Sequence, residues 1–423
     1  MTADAPAGRL GAVGTIRLAW RNLRRNRRRT WITAVTVALA VLLLQLTSAF
    51  LTGIERQSFD NLINYQTGHA KVFAAGYYAS RDELPLEPAL AGLDALQARM
   101  RAVPGVQATA ARLTFQAQLS NGLDQLPCTG IGIAVGGSDT VVFRAPQAVT
   151  HGEYLRRGAR GMLIGGGLAE VLGVRVGDWL TVLARTQQGA YEAVDLEVLG
   201  ILGTGNPAID RATFLIPLEL AQTMLAMPDR ATEVAVRFRP GAAERATLAR
   251  LRAEAATIGL DARGWRVLEA DFLSLVSAKR TGRTVMLLIF LTVALVGVTN
   301  TILMAAFERT QEIGMLMTLG LRGTGVRRLF LAEGAMLGAL GGTVGTLVGL
   351  VLIAWFATTG IDIAALYGEM DIGYPVKDRI YAAFGPGSLL IGWVLTVVLA
   401  AVASLYPATR ASRMDPVDAL RHV

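Results

Sequence analysis

Four stretches of this chain carry no charged side chain over lengths that few soluble cores absorb. They are Trp31 to Leu51, Thr284 to Phe307, Gly334 to Ile361 and Ile380 to Thr409, of 21, 24, 28 and 30 residues. A helix rises about 1.5 Å per residue, so about 20 apolar residues cross the hydrocarbon layer of a bilayer. A single such run is compatible with a buried core helix, but four in one chain point to a membrane protein. The last two exceed what a span needs, so their spans are shorter than the charge-free windows. The composition agrees, with 52% hydrophobic and 17% charged residues over 423 positions. The first run is too long for the apolar core of a signal peptide, and no small-residue cleavage pattern follows it closely. It reads as a retained anchor.

The net charge is +8, and its placement argues against nucleic-acid binding. Arg17, Arg21, Arg24, Arg25, Arg27, Arg28 and Arg29 crowd the entrance of the first run. Arg309, Arg322, Arg327 and Arg328 lie between the second and third, and Arg410, Arg413 and Arg421 follow the fourth. The loop between the third and fourth is acidic instead, with Asp362, Glu369, Asp371 and Asp378 against Lys377 and Arg379. Basic flanks mark the cytoplasmic side. All four segments agree on one topology, with both termini and 308–328 inside and 52–283 outside. Cys128 is the only cysteine, so the outer region folds without an internal disulfide. His69, His151 and His422 are scattered, and no metal-ligand spacing joins them.

The segment TIRLAWRNLRRNRRRT places Ile16, Ala19, Trp20 and Leu23 at three- and four-residue steps with arginines mostly opposite. It fits an amphipathic helix in the headgroup layer, or a simple basic anchor. Residues 52–283 read as a mixed α/β region. HAKVFAA and VQATAARLTFQAQL have strand character around a helical PALAGLDALQARMRAV, and TEVAVRFRP, AAERATLARLRAEAATIG and WRVLEA read again as strand, helix, strand. These two units suggest one subdomain built from both ends. The middle, about 120–220, is richer in strand and turn signals (GDWLTVLART, AVDLEVLGILGTG, ATFLIPL). DFLSLVSAKRTGR is then a stalk into the second run.

In the third run Gly334, Gly338 and Gly342 are four apart, as are Gly341, Gly345 and Gly349. Such spacing lets helix backbones approach closely in lipid, although glycine is common in membrane helices in any case. The pattern leaves open whether such a face packs within the chain or across a dimer. Gln45 and Asn300 are polar exceptions inside two spans, each a helix–helix hydrogen bond or part of a substrate-facing seam. No phosphate-binding loop, Ser-His-Asp, H-E-x-x-H or C-x-x-C arrangement stands out, so catalytic and metal residues are expected to be none. No charge lies at the middle of any run, which disfavours an ion-coupled carrier. Between the second and third runs, FERTQEIGMLMTLGLRG (307–323) has Glu308 and Glu312 on one helical face, a mostly apolar body and a glycine-marked end. Docking onto another protein and resting on the membrane as an amphipathic connector fit this pattern equally.

Three segments, LAWRNLRRNRRRTWIT, NTILMAAFERTQEIGMLMTLGLRG and YPATRASRMDPVDALR, occur in the order found in ABC-transporter permeases of the MacB, FtsX and LolC/LolE type. The chain resembles that family over nearly its whole length. TGHAKVFAAGYY, LIGGGLAEVLGVRVGDWLTVL and LGILGTGNPAIDRATFLIPLELAQTML look most like the lipoprotein-releasing branch. The resemblance implies an α-helical membrane protein with four transmembrane helices and a large extracytoplasmic α/β domain. The expected order is an amphipathic helix (1–30), first span (31–53), outer domain (54–283), second span (284–307), coupling segment (308–328), third span (329–361), outer loop (362–381), fourth span (382–407) and tail (408–423). Within the outer domain, a porter-like part takes 54–119 and 221–275 and a β-rich sabre-like part takes 120–220.

By the same resemblance, Glu308, Arg309, Glu312, Ile313, Gly314, Leu319 and Gly320 couple the chain to an ATPase. Val41, Leu44, Gln45, Ser48, Val298 and Asn300 lie near substrate. Gly334, Gly338, Gly342 and Gly345 are expected at helix packing. The chain itself is expected to hold no cofactor, with ATP and Mg bound by a partner ATPase dimer. A second permease copy, identical or homologous, a periplasmic lipoprotein carrier and membrane lipid complete the expected partners, with no nucleic acid. The expected location is the bacterial inner membrane. The implied function is relay of ATP-driven motion to the outer domain for lipoprotein release. MacB-like efflux of a drug, peptide or toxin and FtsX-like regulation of a cell-wall hydrolase are the alternatives. MacB itself carries its ATPase in the same chain, and FtsX outer domains are generally smaller.

Overall fold

The computed structural model describes residues 12–25, 27–308, 310–318, 321–362 and 379–412, with some helical side chains inside these ranges left aside. The first described elements are α1 (Ala12–Arg25) and α2 (Arg27–Leu62). Then come β1 (Ala70–Ala74), β2 (Leu90–Ala91), α3 (Leu93–Arg101), β3 (Val106–Ser120), β4 (Gln125–Ile133), α4 (Asp139–Val142), β5 (Val149–Gly152) and β6 (Gly161–Gly165). They are followed by α5 (Gly166–Leu172), β7 (Trp179–Arg185), β8 (Tyr191–Leu202), α6 (Pro207–Asp210), β9 (Thr213–Pro217), α7 (Leu218–Met224), β10 (Arg230–Ala231) and β11 (Glu233–Phe238). The last elements are α8 (Glu244–Ala256), β12 (Leu260–Gly264), α9 (Trp265–Leu268), α10 (Ala270–Glu308), α11 (Thr310–Thr318), α12 (Gly323–Thr359), α13 (Pro386–Ala403) and α14 (Leu405–Ser412). The described residues fall into two compact units: those within 1–53, 276–361 and 381–423 form the helical unit, and those within 54–275 and 362–380 form the mixed unit.

In the mixed unit, ten strands share one sheet in the order β12-β1-β11-β3-β4-β9-β6-β8-β5, with β7 pairing β3 and β8. Only β4–β9 and β6–β8 run parallel. Strand β3 joins the two halves of the sheet. Its first part pairs β11 (Val234↔Ala111), its last residues pair β7 (Leu119↔Val182), and its other edge pairs β4 along its second half. Residues 106–115 are buried almost without alternation because both faces are covered. On β8 alternate positions Leu196, Val198, Gly200 and Leu202 are buried, as expected of a strand with one covered face. Phe115 meets Phe214 edge-to-face, their centroids 6.0 Å apart, within the main apolar cluster.

The strand expected at WRVLEA is instead the helix α9, and the strand is the preceding Leu260–Gly264. Its register explains this: Leu260 to Gly264 pair with Ala74 to Ala70, and Gly264 is extended where α9 begins. DARG offers little apolar signal, yet a strand hydrogen-bonded to one neighbour needs few apolar residues to hold its place.

A buried ion pair lies beside β3. Arg112, 2% exposed, donates to both carboxylate oxygens of Asp139 at 2.9 and 3.2 Å, and its guanidinium lies 3.2 Å from the ring centre of Phe143. The bidentate geometry offsets the desolvation of both charges.

Among the described residues, three helices are long and apolar enough to cross a membrane: Arg27–Thr67, Gly323–Thr359 and Leu389–Arg410. The 284–307 run lies inside the 39-residue α10. Large apolar side chains face outward along all four helices, among them Leu39 and Leu43, Leu288 and Ile289, Leu347 and Val351, and Leu390 and Ile391. Most of the acidic loop expected at 362–381 (residues 363–378) and most of the tail (413–423) lie outside the described residues.

Candidate functional site in the helical unit

Several helices meet around the segment at 307–330. Ile313 of α11 is 5% exposed and packs in one apolar cluster with Leu23 of α1, Val37 and Val41 of α2, Ile302 of α10, Leu321, Val326 and Phe330 of the following segment, and Ala408 of α14. Gly314 is buried beside it. The helix α11 is therefore anchored by its apolar side. Two exposed acids, Glu312 of α11 and Glu308 at the end of α10, find partners on α1 and α2: Glu312 pairs with Arg25, and Glu308 accepts from Arg29 Nη1 at 2.6 Å. Glu312 sits in the first turn of α11, where a negative charge favours the helix dipole. Arg309, Leu319 and Gly320 lie outside the described residues.

Helix α1 forms over the segment read as amphipathic, but its apolar residues divide between two sides. Thr15, Ala19 and Leu23, four residues apart, are buried, whereas Ile16 and Trp20 are about half exposed, at 55% and 47%. Asn22 donates to Glu333 at 2.6 Å, and Glu333 is 5% exposed on α12. Sequence reasoning did not single out Arg25, Arg29, Asn22 or Glu333 as contacts. The available signal was that Glu333 is the acid bordering the third charge-free run, and a carboxylate buried there needs a donor.

The two glycine rows of α12 meet different neighbours of the same chain. A Cβ on Gly338 would lie 2.7 Å from Ala400 Cβ of α13, and Gly334 abuts Ser404 and the Ala400 carbonyl. Gly342 packs on Trp393, with a Cβ 3.3 Å from the indole. On the other row, a Cβ on Gly345 would lie 2.5 Å from the Ala38 carbonyl of α2, one on Gly341 would lie 2.7 Å from the Ala34 carbonyl, and one on Gly349 would lie 2.7 Å from Gln45 Oε1. Such approaches leave no room for a side chain.

Gln45 is 3% exposed and donates to Thr346 Oγ1 at 2.9 Å, tying α2 to α12. Val41 is buried in the cluster that includes Ile302, while Leu44 and Ser48 are half-buried and line a small crevice with Ile353 and Leu389. Asn300 faces outward, and the side chain of Val298 lies outside those described. The structure thus places Val41, Leu44, Gln45 and Ser48 along α2, with Val41 and Gln45 turned inward.

The mixed unit holds a separate cavity of about 500 Å³ lined by Lys71, Phe73, Tyr77, Arg81, Glu233 and Glu269 among others. Lys71 Nζ lies 2.7 Å from Glu233. Burial pushes the Glu269 carboxyl up, with Lys71 and Arg81 opposing that shift.

Two family models match the chain. One, described as the MacB-like periplasmic core domain, covers residues 30–254, more than half of the chain, and another, the FtsX-like permease C-terminal, covers 284–416. The lipoprotein-releasing system transmembrane protein LolE of Haemophilus influenzae is 24% identical over 401 residues, 92% of each chain. The corresponding LolC of Xylella fastidiosa (strain Temecula1) is 26% identical over 428 residues, spanning 96% of this chain and 98% of the relative. The macrolide export ATP-binding/permease protein MacB of Nitrobacter winogradskyi is 34% identical over 125 residues, 30% of this chain and 17% of the relative. With its MacB-like periplasmic core and its FtsX-like C-terminal region on one chain, the protein belongs to the MacB/FtsX/LolC-LolE family of membrane permeases.

Proposed function

We propose that the chain is the permease subunit of an ABC transporter that releases or extracts lipoproteins from the bacterial inner membrane. In this reading α10 supplies a fourth span, both termini and the 308–328 segment are cytoplasmic, and 54–283 faces the periplasm. ATP and Mg are bound by a separate ATPase dimer, and a second permease, identical or homologous, completes the membrane assembly. The observation that carries the reading is the near end-to-end match to relatives named for lipoprotein release, with both family regions in order.

The geometry supports a mechanical role. Helix α11 shares an apolar cluster with α1, α2, α10, α12 and α14. A displacement imposed on it by a docked ATPase is therefore felt at the ends of several spans, because close-packed interiors transmit shifts. Helices α2 and α10 each carry residues of both units, and in this reading motion passes along them. Glu308, Arg309, Glu312, Ile313, Gly314, Leu319 and Gly320 form the coupling segment, and Val41, Leu44, Gln45, Ser48, Val298 and Asn300 the substrate-proximal stretch. A MacB-like efflux role is favoured by one observation, the higher identity to a macrolide exporter over a 125-residue segment. Purification of the chain with its native ATPase, followed by mass spectrometry of bound molecules, decides between them. Co-purified acylated proteins support lipoprotein release. Their absence, with a bound small amphiphile instead, supports efflux.

A further inference from the structure

A cleft of about 490 Å³ in the mixed unit lies between the end of β11, the loop after α4 and the turn before α8. Arg144, Arg237 and Arg239 line it together with His69, Thr140 and Gln147. Glu244 is the one acid among the described lining residues. Its carboxylate already accepts from Trp265 Nε1 at 2.9 Å and stands 3.6 Å from Arg266. Two of the guanidiniums are held by neutral oxygens. Arg237 Nη1 donates to Asn64 Oδ1 and to the Val142 carbonyl, each at 2.9 Å, and Arg239 Nε donates to the Val106 carbonyl at 3.2 Å. Asn64 also fixes the other wall, because its carbonyl accepts from Arg144 N at 2.9 Å. The cleft is thus a concave surface with excess positive charge and neutral donors.

That charge is felt inside the protein. Burial and the nearby Arg144 hold Arg237 below the ordinary guanidinium range, with Asp60 opposing. Burial first and Arg237 second push His69 down to about 4. Guanidiniums match phosphate in geometry and charge, and bidentate donation to its oxygens is among the stronger polar contacts a protein makes. We propose that this cleft binds a phosphate-bearing anion through Arg144, Arg237 and Arg239, with Thr140 and Gln147 as neutral donors. The anion is either a soluble phosphate or the headgroup of an anionic phospholipid. The proposal does not depend on the transport reading.

The test uses the full chain in detergent with its histidines labelled with ¹⁵N. The sequence contains only three, His69, His151 and His422, so three ring signals report. Inorganic phosphate is titrated at constant ionic strength against chloride. The expected result is saturable binding that moves the His69 midpoint up from about 4 and leaves His151 unchanged. Arg144, exposed at the cleft rim, is the residue to vary. Arg144→Gln should weaken binding by about tenfold or more, and Arg144→Lys should retain part of it. A parallel arm places the chain in nanodiscs of phosphatidylglycerol or of phosphatidylcholine. A response to phosphatidylglycerol without one to inorganic phosphate assigns the site to the lipid, and the converse assigns it to a soluble anion. No His69 response in either arm, or an equal response in Arg144→Gln, overturns the proposal.

Discussion

The two units of this protein are held together by different physics. The mixed unit buries large side chains such as Phe115, Phe214 and Met162 behind a ten-stranded sheet and encloses the Arg112–Asp139 pair. The helical unit buries a smaller apolar cluster that includes Ile302, Phe330 and Leu337. It brings glycines of α12 close to α2 and α13, and it turns many of its large apolar side chains outward. In water, apolar area drives folding. In lipid that drive between helices is absent, so close approach and a few polar contacts such as Gln45–Thr346 carry the packing. One chain therefore contains a core that fails when a charge is orphaned and another that fails when a methyl group is added.

The sharpest break is Asp139→Ala, which leaves the Arg112 guanidinium buried without its partner. It should cost the mixed unit about 3–5 kcal/mol, read by chemical denaturation of the solubilised chain, with the helical signal preserved to higher denaturant. Replacing both residues with apolar ones of similar volume should recover most of that loss. On the other side, Gly345→Leu or Gly338→Leu should cost the helical unit about 1–3 kcal/mol from overpacking. The near-ultraviolet signal of the mixed unit should be unchanged.

A smaller effect is expected from pH. His69 accepts from the Phe238 amide at 3.4 Å and lies tilted against its ring, and its folded pKa lies near 4, below the ordinary 6.5. A histidine with a depressed folded pKa contributes stability that is full above its unfolded pKa. That contribution is lost as pH falls from 6.5 towards 4. The mixed unit should lose about 1–2 kcal/mol over that window, allowing for partial solvent screening. His69→Gln should flatten the dependence in a pH series of melts.

The smallest effect on stability, below about 1 kcal/mol, is expected for the exposed pairs Arg25–Glu312 and Arg29–Glu308. Their influence on coupling should be larger. Glu312→Arg should lower transport per ATP hydrolysed, and Arg25→Glu in the same chain should restore it. Without that rescue, Glu312 acts on the ATPase rather than within the chain.

The sequence made the segments with strong periodicity legible. HAKVFAA, TEVAVRFRP and the helix at AAERATLARLRAEAATIG stand where their patterns place them, as β1, β11 and α8. The strand at LDARG was hidden because pairing with β1, not side-chain pattern, defines it. The sheet itself was not legible, since strands of the β-rich middle join those of both ends through β3, and register across such separations leaves no local trace. The same holds at the candidate site. The acids at 308 and 312 were visible as a face, but their arginines lie more than 270 residues away in sequence. The glycine spacing carried no sign of its neighbours, α13 on one side and α2 on the other, because contacts between helices so far apart in sequence leave no local pattern.

The most direct test of the central claim is ATP turnover by the purified chain, alone and assembled with its co-purified ATPase, with and without Gly314→Leu in the buried side of α11. The chain alone should not turn over ATP. The assembly should, and that turnover should become uncoupled from substrate release when Gly314 is changed. Hydrolysis by the isolated chain, or unchanged coupling in the Gly314→Leu assembly, would contradict that claim.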